Sequence, residues 1–437
     1  MGTLLGYLIE ALIFFPLVFL VRKKTELKLS FVIAGLNLLY YYMIAGEHLL
    51  YLALYIGVTY IVYQIMVNQA RYKMRVFAAY VAVTLSIFVL IKLNLFKIMG
   101  YSFILLQNYA FLYSRAKNDS DENLGFVEFF AISTFFPIIT AGPISSLSDI
   151  GKQLSSQSLN LSNEEVRWGG LRILNAFFKK ALIDFVMVTH FSGFLGNSAG
   201  KMNLQVSFLN MALVLMYYYF DFSASSDLAI GGARIAGFRI AENFKAPYTS
   251  YSVAEFWRRW HISLGSWFQN YFLIPIQLRF LRNEFFRRFS KVFNYVMVFV
   301  TFIAIGLWHG IGTRYLLWGA LNGFFVVLTH RFDRIIKGSK VASFFSWIVM
   351  ILVAFMGQYL LLTAVDLVLT YRLGTSAENI LALGYFSLLF LVHYYDTCLS
   401  DQKIVRWPKL IWILSLMQIV VVLLFFNPQT TFMYSDF

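Results

Sequence analysis

The stretch VFNYVMVFVTFIAIGLWHG, Val292 to Gly310, runs through 17 uncharged residues before it reaches His309. A membrane-spanning helix needs about 17 to 25 predominantly apolar residues. In lipid such a run has to be helical, because an open sheet edge cannot face hydrocarbon. The stretch therefore reads as a span. The histidine at its end is an ionisable group beside the membrane core, which makes it a candidate for function. Gly306 and Gly310 permit close backbone approach, and Trp308 offers a wall for a pocket. A neutral imidazole can take a proton from a hydroxyl near physiological pH. A histidine that only hydrogen-bonds a neighbouring helix would leave the same trace.

The rest of the chain has the same solvent. Apolar residues make up 59% of the 437 positions and charged residues 13%, against about 25% charged in an ordinary soluble domain. Surface-to-volume scaling does not let an aqueous fold hide that much apolar area. Aromatics, at 19%, suit belts at the two membrane surfaces. Candidate spans fall near 4–21, 29–46, 48–67, 76–94, 126–142, 181–197, 204–220, 292–308, 315–330, 341–365, 377–395 and 409–426. Pro137 and Ala141-Gly142-Pro143 interrupt the fifth, and Asp184 lies within the sixth.

The formal charge of +14 sits between apolar runs, where positive-inside topology and anionic lipid account for it. There is no polar domain to carry nucleic acid. Arg22, Lys23, Lys24 and Lys28 follow the first span, which predicts a retained helix with its N-terminus outside. Arg71, Lys73 and Arg75, then Arg331, Arg334, Lys337 and Lys340, then Lys403 and Arg406 agree with that orientation. The single Cys398 excludes an internal disulfide.

Residues 221–290 break the hydropathy pattern, with Asp221, Asp227, Arg234, Arg239, Glu242, Lys245, Glu255, Arg258, Arg259 and His261. Polar backbone at membrane depth is tolerated only where protein or a water-filled cavity surrounds it. Chemistry is therefore expected there. Gln277 to Lys291, with Arg279, Arg282, Arg287 and Arg288 among Phe and Leu, reads as an interfacial amphipathic helix, either a lipid anchor or a docking site for a donor carrier. His261 is the second candidate histidine, and an interfacial histidine paired with a carboxylate is its bland alternative. His48 sits beside Glu47 in a short external loop, and His330 and His393 lie near predicted cytoplasmic helix ends. No Gly-x-Ser-x-Gly elbow, His-Glu-x-x-His helix or Walker loop occurs, and no cluster has metal-ligand spacing.

Four blocks, in order, resemble the membrane-bound O-acyltransferase family, nearest its bacterial branch of alginate O-acetylases and teichoic acid D-alanyl transferases. The first is Gly100-Tyr101-Ser102-Phe103 with Gln107, then Phe135-Phe136-Pro137 and Ala141-Gly142-Pro143-Ile144. The second runs from Tyr219-Phe220-Asp221-Phe222-Ser223 through Ser226-Asp227-Leu228-Ala229-Ile230-Gly231 to Gly237-Phe238 and Glu242-Asn243-Phe244. The third is Phe256-Trp257-Arg258-Arg259-Trp260-His261-Ile262-Ser263-Leu264, with Trp267 and Tyr271. The fourth is Gly306-Leu307-Trp308-His309-Gly310. Gln269-Asn270-Tyr271 departs from the usual Arg-Asp-Tyr, Ala224-Ser225 stands where Gly-Tyr is common, and the Gly-Gly-Asn-Arg of alginate-type members is missing.

The resemblance implies an all-α polytopic membrane protein of about ten to twelve transmembrane helices, with re-entrant and interfacial helices around a central funnel. It implies one domain over 1–437, with peripheral helices in 1–99, a catalytic core in 100–330 and C-terminal helices in 331–437. The expected catalytic residues are His309 and His261. Trp308, Gly310, Trp260, Asp221, Ser226 and Asp227 are expected to contact substrate. Arg258, Arg259, Arg282, Arg287 and Arg288 are expected to dock the donor. No metal or bound cofactor is expected. The implied donor is acetyl-coenzyme A or an acyl-carrier-protein thioester on the cytoplasmic face of a bacterial inner membrane. The implied acceptor is a hydroxyl of an envelope polysaccharide or peptidoglycan, reached directly or through an extracytoplasmic partner acyltransferase. D-alanyl transfer to teichoic acid is the rival within the family. A secondary transporter with an intramembrane histidine relay, or a non-catalytic scaffold, is the rival outside it; a transporter predicts inverted repeats, which the chain does not display.

Overall fold

The computed structural model describes residues 9–24, 28–93, 95, 100–117, 123–139, 142–155, 162–191, 203–205, 208–362, 368–370, 376–400 and 408–425. Leu4 to Leu8, Ala141, residues 192–197, Lys403 and Arg406, all used in the expectations above, lie outside them.

The helices are α1 Phe15–Lys24, α2 Leu29–Ala45, α3 Leu49–Asn68, α4 Lys73–Lys92, α5 Tyr101–Ala116, α6 Phe126–Ser133 and α7 Leu147–Ser155. They continue with α8 Asn163–Phe191, α9 Phe208–Ile235, α10 Val253–Arg259, α11 Ile262–Phe268, α12 Ile274–Phe280 and α13 Glu284–Arg288. The last are α14 Ser290–His309, α15 Thr313–Arg331, α16 Asp333–Gly338, α17 Lys340–Leu362, α18 Ser376–Ser400 and α19 Pro408–Phe425. One pair of three-residue parallel strands, Asn203–Gln205 with Val368–Thr370, is the only sheet among the described residues. As far as they are described, the expected spans fall largely on helices, but the one at 204–220 begins in the first strand and the one at 126–142 leaves its helix after Ser133. Five of these helices, at Leu49–Asn68, Lys73–Lys92, Ser290–His309, Lys340–Gln358 and Ile380–Leu399, are long and apolar enough to cross a membrane. Glu10–Val21, Leu29–Met43, Phe126–Ile138 and Trp412–Phe425 are shorter apolar helices. The chain is an all-α polytopic membrane protein.

The contacts divide it into two compact units, one of 1–176, 224–242 and 427–437, the other of 177–223 and 243–426, and the division passes through α8 and α9. In the first unit the break before Pro137 is stabilised by Asn37. Its Nδ2 donates to the Ala131 carbonyl (2.9 Å) and to Thr134 Oγ1 (3.0 Å), and its Oδ1 accepts from Phe136 N (3.0 Å). A helix that stops in an apolar interior leaves backbone groups without partners, and one buried amide meets that need. Gly169 and Gly231 bring two helices into backbone contact, since a Cβ on Gly169 would lie 2.8 Å from the Gly231 carbonyl oxygen.

Two expectations change here. The polar stretch after Phe220 does not begin a separate segment, because α9 continues unbroken to Ile235. Its two carboxylates, expected to contact substrate, are buried and matched by cations: Asp221 by Lys180, Asp227 by Arg172. The interfacial helix over Gln277 to Lys291 is also two short helices. The first ends at Phe280, and Asn283 caps the start of α13, its side chain accepting from Phe285 N (2.9 Å), as asparagine does at a helix start.

Candidate active site

The second unit contains both candidate histidines. His309 is the last residue of α14, and an extended Gly310 and a Gly312 with φ of 151° turn the chain into α15. A side chain at Gly306 would strike the Tyr315 carbonyl oxygen, and one at Gly310 would strike the Tyr315 ring. One at Gly319 would stand 2.6 Å from the Phe302 carbonyl oxygen. Small residues at these positions let two membrane helices touch backbone to backbone. The hairpin holds His309 half-buried between two indoles: Trp308, with ring centroids 4.9 Å apart, and Trp318, at 5.2 Å. Trp318 meets the ring of Trp257 edge-on at 5.5 Å. Trp257 Nε1 donates to Asn322 Oδ1 (3.1 Å), and Asn322 Nδ2 donates to the Trp318 carbonyl (2.9 Å). The Trp257 indole is thus held by a hydrogen bond, and the Trp318 ring by its edge-on packing against Trp257.

His261 is placed by a different device. Ser252 caps α10 by accepting from Glu255 N (3.2 Å), and the helix ends at Arg259. Trp260 is then extended and bridges Phe244, while Lys245 N donates to the Arg259 carbonyl (2.9 Å) and Ile262 N to the Asn243 carbonyl (2.9 Å). Ser263 Oγ donates to Asn243 Oδ1 (2.5 Å). Between these anchors His261 takes φ 44° and ψ 53°, the left-handed region. A non-glycine residue held there costs about 1–3 kcal/mol and persists only where its surroundings over-determine it. His261 is 4% exposed, packs edge-on to Phe222 at 4.7 Å, and its buried Nε2 has no hydrogen-bond partner among the described residues. Burial, and secondarily the neighbouring His309, push its imidazole down to about 3. The ring is therefore neutral at physiological pH, and the two histidines are electrostatic neighbours.

His261 opens onto a cavity of about 160 Å³, lined also by Trp257, Trp260, Gly265, Gln269, Thr301 and Phe302 among others. Gln269 to Leu273 form one π-helical turn, a distortion frequent at functional sites, and both of its end residues line the cavity. His309 stands behind the Trp318–Trp257 pair and is not itself among the lining residues. A neutral buried imidazole, a second histidine nearby and a largely apolar hollow suit proton transfer on a small, poorly hydrated group.

The other expected site residues are placed unequally. Trp260 lines the cavity; Trp308 and Gly310 belong to the His309 turn. Asp221 is fully buried in an ion pair with Lys180 (3.1 Å). Ser226 and Asp227 lie in the first unit, where Asp227 pairs with Arg172 (2.6 Å) and accepts from Asn175 (2.7 Å). Arg258, Arg282, Arg287 and Arg288 are exposed, whereas Arg259 is half-buried and bonded to Glu255 and Thr249. Tyr295 of α14 meets His330 of α15 at 6.2 Å. The basic α12–α13 segment and the basic residues after α15 thus share one end of the hairpin.

Reading the sequence did not assign Trp257, Gln269, Thr301 or Asn322 to the site. Trp257 and Gln269 lie within or beside the third block, but nothing in their spacing says which side of the turn they face. It also missed Asp396, which receives Lys179 (2.7 Å) and the Tyr219 hydroxyl (2.6 Å) in the interior.

A family model described as MBOAT, membrane-bound O-acyltransferase family, matches residues 37–365. A probable alginate O-acetylase AlgI of Pseudomonas syringae pv. tomato is 33% identical over 215 residues, covering 48% of this chain and 39% of that protein. A peptidoglycan O-acetyltransferase of Helicobacter pylori is 29% identical over 201 residues, covering 45% and 36%. A teichoic acid D-alanyltransferase of Bacillus subtilis is 27% identical over 201 residues, covering 46% and 50%. The chain spans half or less of the length of these relatives. The family match extends across both the His261 turn and the His309 hairpin, and the chain belongs to the membrane-bound O-acyltransferase family.

Proposed function

We propose that the chain moves an acyl group from a cytoplasmic thioester to a hydroxyl of a cell-envelope polysaccharide or peptidoglycan. The observation that carries this reading is the cavity bordered by His261, with an unpartnered Nε2, beside the tightly packed turn that holds His309. His309 takes the proton of the acceptor hydroxyl as its oxygen attacks the thioester carbonyl. A C–O bond forms, the C–S bond breaks, and the proton leaves on the thiolate as free thiol. General-base assistance of this kind is worth about 10²–10⁴-fold, and holding both substrates in one site adds more. His261 donates to or accepts from a reacting oxygen through Nε2.

The donor is acetyl-coenzyme A or an acyl-carrier thioester. It meets the exposed Arg258, Arg282, Arg287 and Arg288 at the basic end of the hairpin, which the positive-inside rule puts in the cytoplasm of a bacterial inner membrane. The acceptor is reached directly or through an extracytoplasmic partner acyltransferase. D-alanyl transfer from a carrier protein to teichoic acid is the rival, supported by the likeness to the Bacillus subtilis relative.

The test uses purified protein in nanodiscs with acetyl-coenzyme A, a carrier thioester and a membrane extract as acceptor. Thiol release is measured for wild type and His309→Ala, both shown to be folded. Release that the substitution abolishes supports the proposal. Equal release from both removes His309 from the chemistry, and none from either returns the transporter reading.

A further inference from the structure

The cavity beside His261 limits which acyl group can be carried. An apolar cavity of about 150 Å³ holds a benzene ring, and this one measures about 160 Å³. An acetyl or butyryl group is contained in that space, whereas an octanoyl chain overruns it and leaves its end outside the buried walls. Its walls are Trp257, Trp260, Leu264, Leu273, Val298, Phe302 and Ile305, and its polar lining is His261, Gln269 and Thr301. Thr301 donates its hydroxyl to the Met297 carbonyl (2.7 Å) and so offers only lone pairs.

Among the described lining residues none is a carboxylate. Two carboxylates of the flanking helices are engaged elsewhere, Asp221 by Lys180 and Glu255 by Arg259. Gly265 and Gln269 are exposed at the rim, but an ammonium group placed against the buried walls at Trp260, His261, Leu264 and Phe302 would be desolvated without a counter-charge, a situation proteins avoid strongly. Gly265 adds a geometric detail. It lines the cavity at an exposed position and a Cβ there would meet nothing within 4 Å, so a glycine leaves the rim open where a larger side chain would narrow the entrance.

We propose that this cavity is the acyl pocket and that it selects short uncharged acyl groups over aminoacyl groups, with Gly265 keeping it open. This rests on the acyl-transfer reading and decides, within it, between acetyl and D-alanyl. Binding a neutral group needs only what the lining provides: apolar walls and an unpartnered imidazole nitrogen to meet the acyl carbonyl.

The experiment compares thioesters of acetate, butyrate, octanoate, D-alanine and D-lactate, each offered both on coenzyme A and on an acyl carrier protein, on the full chain in nanodiscs, reading kcat/KM from thiol release with a membrane extract as acceptor. D-lactyl has the shape of D-alanyl with a hydroxyl replacing the ammonium, so it separates charge from size. The expectation is D-lactyl within about tenfold of acetyl and D-alanyl about 10²-fold or more below it, the cost of an unpaired buried charge. Gln269→Glu should raise the D-alanyl to acetyl ratio about tenfold by supplying a counter-charge. Gly265→Leu should depress butyryl more than acetyl. D-alanyl used as well as acetyl, octanoyl used as well as acetyl, or a Gly265→Leu variant with unchanged chain-length preference would each overturn the pocket assignment while leaving acyl transfer standing. No release from any thioester by folded wild type would remove the acyl-transfer reading, and the pocket assignment with it.

Discussion

Replacing Gly319 by alanine tests whether the hairpin positions His309. The new Cβ would lie 2.6 Å from the Phe302 carbonyl oxygen and 2.8 Å from Ile303 Cα, whereas ordinary contact begins near 3.4 Å. The colliding atoms are backbone on both sides, so no side chain can swing away, and α14 and α15 must part by about 0.8 Å. Overpacking of this kind costs about 1–3 kcal/mol, and alanine returns about 1 kcal/mol in helix propensity over glycine. The net loss of stability is therefore small, on the order of 1 kcal/mol. The functional loss is larger, because Trp318 adjoins the substitution and its ring is what His309 packs against at 5.2 Å. A displacement near 1 Å at a catalytic group costs about 10²-fold in rate. Thiol release and thermal unfolding measured on the same nanodisc preparation should show a rate loss near 10²-fold with only a slight fall in Tm. Gly35→Ala in α2, whose Cβ meets nothing within 4 Å, is the control and should leave the rate unchanged while raising Tm slightly through the same helix-propensity gain. Activity within threefold of wild type in Gly319→Ala would refute the claim that this packing sets the position of His309.

Three further outcomes follow from other contacts. Trp257→Phe removes the donor to Asn322 Oδ1 and leaves a buried carbonyl unpaired, at about 1–3 kcal/mol; chemical denaturation should register it, and Asn322→Leu added to it should recover part. Asp396→Ala strands the buried Lys179 and should destabilise by about 3–5 kcal/mol, while Lys179→Met with Asp396→Leu should restore most of the Tm; failure of the pair to recover would argue against charge pairing as the cause. His261 is depressed from 6.5 to about 3 in the fold, so between those values the unfolded chain holds a proton that the folded chain lacks. Stability from this group is full above about pH 6.5 and falls below it by up to about 1.4 kcal/mol per pH unit. Unfolding midpoints followed from neutral to mildly acidic pH should show a shallower slope in His261→Asn, whose side chain tolerates the left-handed backbone; parallel slopes would count against it.

The helices were legible because their signal is local. Val292 to Trp308 is apolar over the length a bilayer needs, and the structure makes it a helix of nearly the same bounds, Ser290–His309. His309 was legible for the same reason, as an ionisable residue at the end of an uncharged run. Asp221 and Asp227 were not legible. A carboxylate near a histidine motif looks the same in sequence whether it faces substrate or a cation, and these two are matched by Lys180 and Arg172, which lie 41 and 55 residues earlier on one helix. The α12–α13 pair was misread as one helix because basic residues alternating with Phe and Leu outweighed the capping capacity of Asn283.

What the sequence determined by itself is the solvent and the helical class, because hydropathy and the cost of charge in lipid act residue by residue; it also singled out two histidines as candidates. Tertiary structure alone decided that a glycine seam brings α14 and α15 together, that an extended Trp260 and a left-handed His261 border a cavity, and that Gln269 and Thr301 line it without a carboxylate. A cavity is the space left when segments distant in the chain pack imperfectly, so its size and lining depend on how those segments meet and not on the order in which they are written.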